Sequence, residues 1–246
     1  MTKDTKITLL GTGTCQIQTK RMASSILLES DGLRVVFDFG RGVTQRLLEI
    51  GLRQDDITHI ILSHFHPDHI SDLIPFLQAA VWSKTDPRKE DLNIYGPSGV
   101  KNKIMRLINA FEPGEITSEG FNLNIHEITD KAFKIESQEF QFLELPHPNC
   151  HGLKFKANGK TLTFSSDSKF SQALINIVKG ADLAIVNCGH INDKDIVELA
   201  VLTEAKEIVY SHLYRELDGD RLNALAKKEG YNGRLIAGED LVSFSI

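Results

Sequence analysis

The apolar run Ile57 to Leu62 ends directly in Ser63-His64-Phe65-His66-Pro67-Asp68-His69. This junction constrains the fold more than any other part of the chain. A short apolar run reads as a buried strand, so the imidazoles and the carboxylate that follow leave one rigid edge and can turn toward one cavity. Imidazole nitrogen and carboxylate oxygen are the donors that divalent metals take at open sites. Chance would produce H-x-H-x-D-H in only about one chain in a thousand of this composition. The segment therefore reads as part of a metal site.

Composition sets the frame around it. A chain of 246 residues with 41% hydrophobic and 25% charged residues can bury a full core, and a single domain over residues 1–246 is expected. No run of about eighteen apolar residues occurs, and the polar start Met1-Thr2-Lys3-Asp4 is unlike a signal peptide. A soluble, cytoplasmic protein is expected. Cys15, Cys150 and Cys188 are odd in number without CxxC spacing, which fits a reducing compartment and small, partly buried thiols. A net charge of -5 offers no general field for polyanions. Lys154, Lys156 and Lys160 form the only close basic cluster near the proposed site, and a solvated strand face explains them equally well.

Apolar runs alternate with turn residues throughout, without low-complexity segments, long linkers or repeats. Strands are expected at Ile7 to Leu10, Ser25 to Leu28, Leu33 to Phe37, Ile57 to Leu62, Leu92 to Tyr95 and Phe121 to Glu127. More are expected at Glu139 to Leu145, Gly152 to Lys156, Thr161 to Phe164, Leu183 to Asn187 and Glu207 to Tyr210. Helical patterns fit Val43 to Ile50, Ile70 to Ala80, Gly99 to Ala110, Phe170 to Val178, Asp193 to Ala205 and Asp220 to Lys228. This order predicts an α/β fold of two mixed sheets covered by helices outside. Ser83 to Glu90, charged and carrying Pro87, reads as a surface loop; nothing in its composition favours a lid.

A two-metal centre needs more ligands than one loop can give, so His and Asp should recur past other strands. His147 follows Glu144-Leu145, Asp167 follows Thr161 to Ser166, and His212 follows Ile208 to Ser211. Loops past strand ends are where α/β sheets gather functional groups. Each of the three alone fits an ordinary loop residue; together with the first motif they make a ligand set.

The set His64, His66, Asp68, His69, His147, Asp167 and His212 resembles that of the metallo-β-lactamase superfamily. Leu10-Gly11-Thr12-Gly13-Thr14, Val36-Phe37-Asp38-Phe39-Gly40 and Gly189-His190 resemble its ribonuclease Z and phosphodiesterase branch, and the resemblance runs over essentially the whole chain. It implies an αββα sandwich with two zinc ions, or manganese or iron, in a cleft at one edge of the sheets. By position, His64, His66 and His147 would hold one metal, Asp68, His69 and His212 the other, and Asp167 would bridge them. Metals about 3.5 to 4 Å apart can clamp attacking and leaving oxygens and lower the pKa of a bridging water toward about 7. Asp68 could also orient the resulting hydroxide or take its proton.

Departures from the family pattern refine the reading. Asp167 sits in Ser-Asp-Ser where the family shows Gly-Asp-Thr or Gly-Asp-Ser, a change in the turn more than in the ligand. Asp and His where dizinc β-lactamases carry Cys or lack a ligand argue against β-lactam hydrolysis. His190 resembles the His of the branch's Gly-His-Ser-Thr element, which implies a group that binds phosphate and protonates the leaving alkoxide; a helix cap or surface His is the alternative. The branch's His-Glu-Ala-Thr tract appears as Val186-Asn187-Cys188-Gly189, so Asn187 stands where a Glu would support His190. Nineteen residues separate His147 from Asp167, too few for a long tRNA-binding arm.

Among other residues, His59 is expected to be structural and His126 to lie at the surface. His151 could line the cleft or mark a turn. Asp38 could hydrogen-bond a ligand imidazole, as metal sites generally require, or be an ordinary loop Asp. The sequence thus reads as a dinuclear-metal phosphodiesterase of small, including cyclic, nucleotide or ribosyl phosphodiesters, with Asp68 and His190 as catalytic groups. A tRNA 3'-processing endonuclease, a thioester or lactone hydrolase and a silent binding module are the rivals. Nucleic acid is not the favoured partner, and a homo-oligomer stays open.

Overall fold

The computed structural model describes residues 5–111 and 120–246. The polar start Met1 to Asp4 lies outside the described residues. Strands β1 (Lys6–Gly11), β2 (Ser25–Ser30), β3 (Leu33–Phe37), β4 (His59–Ile61), β5 (Leu92–Gly96) and β6 (Leu123–Glu127) build the first sheet. The second holds β7 (Ala132–Ile135), β8 (Gln138–Leu145), β9 (Cys150–Ala157), β10 (Lys160–Phe164), β11 (Leu183–Asn187), β12 (Glu207–Ser211) and β13 (Arg234–Ala237). The last strand, β14 (Ser243–Ser245), returns to pair with β1. The orders are β14-β1-β2-β3-β4-β5-β6 and β13-β12-β11-β10-β9-β8-β7 among the described residues.

Seven helices among the described residues cover the outer faces: α1 (Val43–Glu49), α2 (Pro67–Ile70), α3 (Leu73–Trp82), α4 (Val100–Asn109), α5 (Gln172–Val178), α6 (Asp193–Thr203) and α7 (Gly219–Lys228). The resulting αββα sandwich has three apolar layers. Between the sheets, alternate residues of strands such as β8 turn inward, and Phe140, Phe142, Phe155 and Phe164 fill that layer. The outer face of the first sheet packs Val36, Ile60 and Ile94 against Leu47, Leu77 and Ile104 of α1, α3 and α4. The outer face of the second packs Val186 and Ile208 against Leu174, Leu199 and Leu222 of α5, α6 and α7. Burying each such side chain contributes roughly 1.5–3 kcal/mol. The central strand β11 is buried at every residue because apolar material lies on both of its faces.

Two expected elements are corrected. The strand expected over Ile57 to Leu62 is confined to His59–Ile61. The helix expected over Ile70 to Ala80 divides into α2 and α3, because the Asp72 amide bonds the Phe39 carbonyl at 3.1 Å instead of continuing the first helix. Strands β7, β13 and β14 escaped the sequence reading; each has four residues or fewer and lies at a sheet edge or pairs there, too short for an alternating pattern to register. The Ser83 to Glu90 loop is fixed at Arg88, whose buried guanidinium donates to the Glu90 and Asp91 carbonyls at 2.6 and 2.9 Å. No described helix is long and apolar enough to cross a membrane.

Strand direction decides where the chemistry gathers. Strands β3, β4, β5 and β6 run parallel, as do β10, β11, β12 and β13. Strand β8 is antiparallel to β9 and β9 to β10, so β8 points the same way as β10. Asp38, the His64–His69 loop, His147, Asp167, His190 and His212 follow β3, β4, β8, β10, β11 and β12. All of them therefore emerge at C-terminal strand ends, where ligand sites of α/β sheets form.

Candidate metal centre

The structure brings the seven predicted ligand residues into two adjoining groups. His64, His66, His147 and Asp167 form one and Asp68, His69 and His212 the other, with the donor atoms of each group within 4.8 Å of one another. Asp167 turns one oxygen to each. Its Oδ2 lies 3.8 Å from both His64 Nε2 and His147 Nε2, and its Oδ1 lies 3.4 Å from His69 Nε2 and 3.5 Å from His212 Nε2. Asp68 Oδ2 is 3.2 Å from His212 Nε2, and His66 Nδ1 is 3.1 Å from His147 Nε2. The floor, made of His64, His69, Asp167 and His212, is buried; His66, Asp68, His147 and His190 form the rim through which a substrate would enter.

The hydrogen bonds of the donor set leave its lone pairs facing a place for a cation. His64 Nε2 and His69 Nε2 are buried without a hydrogen-bond partner, a costly state for a polar atom unless something else meets its lone pair. Their other nitrogens are fixed. His69 Nδ1 donates to Asp38 Oδ2 at 2.7 Å, because a carboxylate can only accept. Asp38 also accepts from the Ser63 amide at 2.7 Å and the Ser63 hydroxyl at 2.8 Å, and that hydroxyl oxygen lies 2.9 Å from His64 Nδ1. With Nδ1 protonated in both rings, each Nε2 presents a lone pair to the cluster. Two divalent ions fit such a donor set.

Charge balance agrees. Burial pushes His64 down to about 2, so this imidazole stays neutral and able to ligate. Burial alone would raise Asp68, but its hydrogen bond to His212 and the charge of His69 outweigh it and hold the carboxyl at about 2. Burial likewise would raise Asp167, but the charge of His69 and the hydrogen bond to His190 outweigh it and keep the carboxyl well below the carboxylate range. For His69, Asp38 and Asp167 outweigh burial and hold it well above the ordinary range. The position demands a positive charge at Nε2, from a proton or a metal ion.

The loop that carries Asp68 and His69 sits against β3 through Gly40. A Cβ at Gly40 would lie 2.0 Å from the Asp68 carbonyl oxygen, and Phe39 donates its amide to the His69 carbonyl at 2.6 Å. His190 lies beside the cluster with Nε2 3.3 Å from Asp167 Oδ2, a hydrogen bond that raises its pKa above the ordinary value. Asn187 instead donates to Asp167 Oδ1 at 3.0 Å.

A family model described as Anti-Pycsar protein Apyc1 matches residues 5–213, most of the chain. The chain belongs to the Anti-Pycsar protein Apyc1 family. Among curated proteins, the ribonuclease Z of Borreliella burgdorferi is 29% identical over 210 residues, covering 82% of this chain and 63% of that protein. The chain spans about half the length of several curated relatives it matches, 43% of the Haloferax volcanii ribonuclease Z and 44% of that from Methanococcus aeolicus. The metallo-β-lactamase fold protein YhfI from Bacillus subtilis superposes with a TM-score of 0.82 at 22% identity over 99% of this chain and 100% of that one. Human tRNase Z, short form, superposes with a TM-score of 0.72 at 21% identity over 98% and 99%. This chain thus has the metallo-β-lactamase fold, and the curated relatives it matches carry the name ribonuclease Z.

Several residues singled out in the sequence stand elsewhere. His151 does not reach the cluster: β9 alternates, turning Cys150 toward His64 Nδ1 at 3.7 Å and stacking His151 on Phe142 at 4.4 Å. Lys154 donates to the Ile177 and Lys179 carbonyls at 3.0 and 3.1 Å, closing the C-terminal end of α5, while Lys156 and Lys160 are exposed. His126 is exposed, and His59 is buried under Tyr95. Cys15 is exposed, and Cys150 and Cys188 are buried, all as free thiols. The sequence reading gave no role to Ser63 or Ser166. The need of ligating imidazoles for an outer partner was the signal that could have found Ser63.

Proposed function

We propose that the protein is a metal-dependent hydrolase whose main reaction is the cleavage of small phosphodiesters, cyclic nucleotide and ribosyl phosphodiesters among them. The observation that carries this reading is the division of the cluster by Asp167, one carboxylate oxygen to each histidine group. His64, His66 and His147 would hold one divalent ion, Asp68, His69 and His212 a second, and Asp167 both. Zinc suits this nitrogen and oxygen donor set, with manganese and iron as alternatives. When bound, such a pair supplies Lewis acidity toward phosphoryl oxygens and acidifies water.

The chain's own groups divide the remaining work. Asp68, ionised at any working pH and placed at the rim, orients the attacking water and accepts its proton. His190, held toward its cationic form by its Nε2–H bond to Asp167, would offer its other proton, on Nδ1, to a phosphate oxygen and pass it to the leaving alkoxide. Substrate size follows from the interval between His147 and Asp167, which is taken up by the β9–β10 hairpin and leaves no arm to grip a large RNA. The net charge of -5 adds no attraction for one. A tRNA 3'-processing endonuclease is the second reading, supported by the shared name of the curated relatives.

Turnover of bis-nitrophenyl phosphate, cyclic nucleotides, precursor tRNA, thioesters and lactones by the zinc-loaded protein tests both. Small diesters should turn over and precursor tRNA should stay intact. Site-specific tRNA cleavage with weak diester turnover would put the second reading first. A purified chain without metal, whose melting ignores added zinc, would remove the hydrolase reading altogether.

A further inference from the structure

We infer that Ser166 is a positioning residue: from the second sheet, through Ser63, it locks the metal-facing histidine His64 of the first sheet. The inference rests on the metal-centre reading above but concerns how tightly ions are held, not the reaction. Ser166 follows β10 and Ser63 follows β4, so 103 chain positions and the whole sandwich lie between them in sequence, yet their hydroxyl oxygens are 2.7 Å apart. Both residues are buried, with Ser166 2% and Ser63 0% exposed.

The backbone of Ser166 argues that its side chain serves a purpose. Its φ is +52°, in the left-handed region where glycine is preferred. A hydroxyl there has to offset an unfavourable backbone, and its hydrogen bonds show what it does. Ser63 has one proton and two lone pairs. Its proton goes to Asp38 Oδ2 at 2.8 Å, which leaves the oxygen free to accept from Ser166 and from His64 Nδ1 at 2.9 Å. The set of bonds is complete only with Ser166 present. It fixes the Ser63 rotamer, the Ser63 rotamer keeps the proton on His64 Nδ1, and His64 Nε2 is thereby left as a lone pair toward Asp167. Without it, Ser63 is free to turn, and the Cys150 thiol, 3.7 Å from His64 Nδ1, is a rival partner for the ring. Ser166 also lies 3.3 Å from Asp38 Oδ2, the carboxylate oxygen that orients His69, so the same hydroxyl touches the support of both histidine groups.

The test is zinc affinity, measured by competition with a chromophoric chelator, for the natural chain, Ser166→Gly, Ser63→Ala and the double variant. Ser166→Gly deletes the hydroxyl while suiting the backbone, so it should fold; Ser166→Ala supplies the same comparison should it not. Each single variant should bind zinc about tenfold to a hundredfold more weakly. In the Ser63→Ala background, Ser166→Gly should add less than about a twofold loss, the mark of two groups acting through one bond. The visible absorption of the cobalt-loaded protein should change in Ser166→Gly, which a merely structural role would not cause. Affinity and cobalt spectrum both unchanged in Ser166→Gly would overturn the inference alone, and losses that multiply in the double variant would overturn the route through Ser63. A natural chain that binds no zinc would instead overturn the metal-centre reading beneath it.

Discussion

The Asn187 side-chain amide donates to Asp167 Oδ1 at 3.0 Å, while its own backbone amide is held by Ser165 Oγ at 3.0 Å. The residue that stands in place of an acidic partner for His190 therefore serves a different neighbour. It steadies the carboxylate between the two histidine groups, and His190 finds its acidic partner in the other oxygen of that carboxylate. One Asp is thus aligned from both sides, by a neutral amide in the floor and an imidazole at the rim.

Asn187→Ala should weaken zinc binding by about tenfold, since partners of metal-holding carboxylates typically cost that much when removed. The overall fold should survive, because the side chain points into the polar cluster and not into an apolar layer. Calorimetric titration with zinc checks it; an unchanged affinity would mean that Asp167 needs no alignment from the floor.

His190→Ala separates proton donation from ion binding. If His190 protonates the leaving oxygen, the variant should keep its zinc yet lose about 10² to 10⁴ in rate on a diester with an alkoxide leaving group. A nitrophenolate leaves without a proton, so the loss on a nitrophenyl diester should be far smaller. Steady-state rates on the two substrates decide: equal losses would leave His190 as a phosphate-binding group, and loss of zinc would make it a ligand.

Much of this arrangement was legible in the sequence because strand patterns and strand ends are local. Leu33–Phe37 and Leu183–Asn187 were read with the bounds observed. The side chains that the structure gathers into the cluster are those whose chemistry stands out after such runs. What stayed hidden depends on tertiary geometry. The break between α2 and α3 comes from one amide diverted to Phe39, a residue far back in the chain. His151 could be placed only once the register of β9 was known, because a shift of one residue exchanges it with Cys150. Ser63 and Ser166 look like ordinary polar loop residues until the positive φ of Ser166 and their mutual distance are seen.

His59 gives the fold an acid sensitivity of known sign. Burial pushes its pKa down to about 4, against 6.5 for a free side chain. Between those values the unfolded chain binds more protons than the folded one, so the contribution of His59 is complete above pH 6.5 and is lost as the pH falls toward 4. His59→Asn should lower the steepness of that decline in urea midpoints measured between pH 7 and 4. Identical slopes for the variant and the natural chain would show that His59 ionises freely in the folded state.

Gly189 is the position where a single methyl group should cost an ion. A Cβ there would lie 2.4 Å from His212 Nδ1, 3.1 Å from His212 Cε1 and 3.0 Å from Tyr214 Cε2. The constraint is space, and the ring has little room to yield: His212 is 1% exposed, its backbone φ is +56°, and its Nε2 faces Asp68 and Asp167. Gly189→Ala should therefore displace His212 from the group it forms with Asp68 and His69, while the group of His64, His66 and His147 keeps its geometry. Elemental analysis of the purified variant should find about one zinc per chain where two are expected in the natural protein, with melting of the metal-free forms alike to within a few degrees. Full zinc content in the variant would show that His212 contributes nothing to holding the second ion, and the assignment of that group would have to be redrawn around Asp68 and His69 alone.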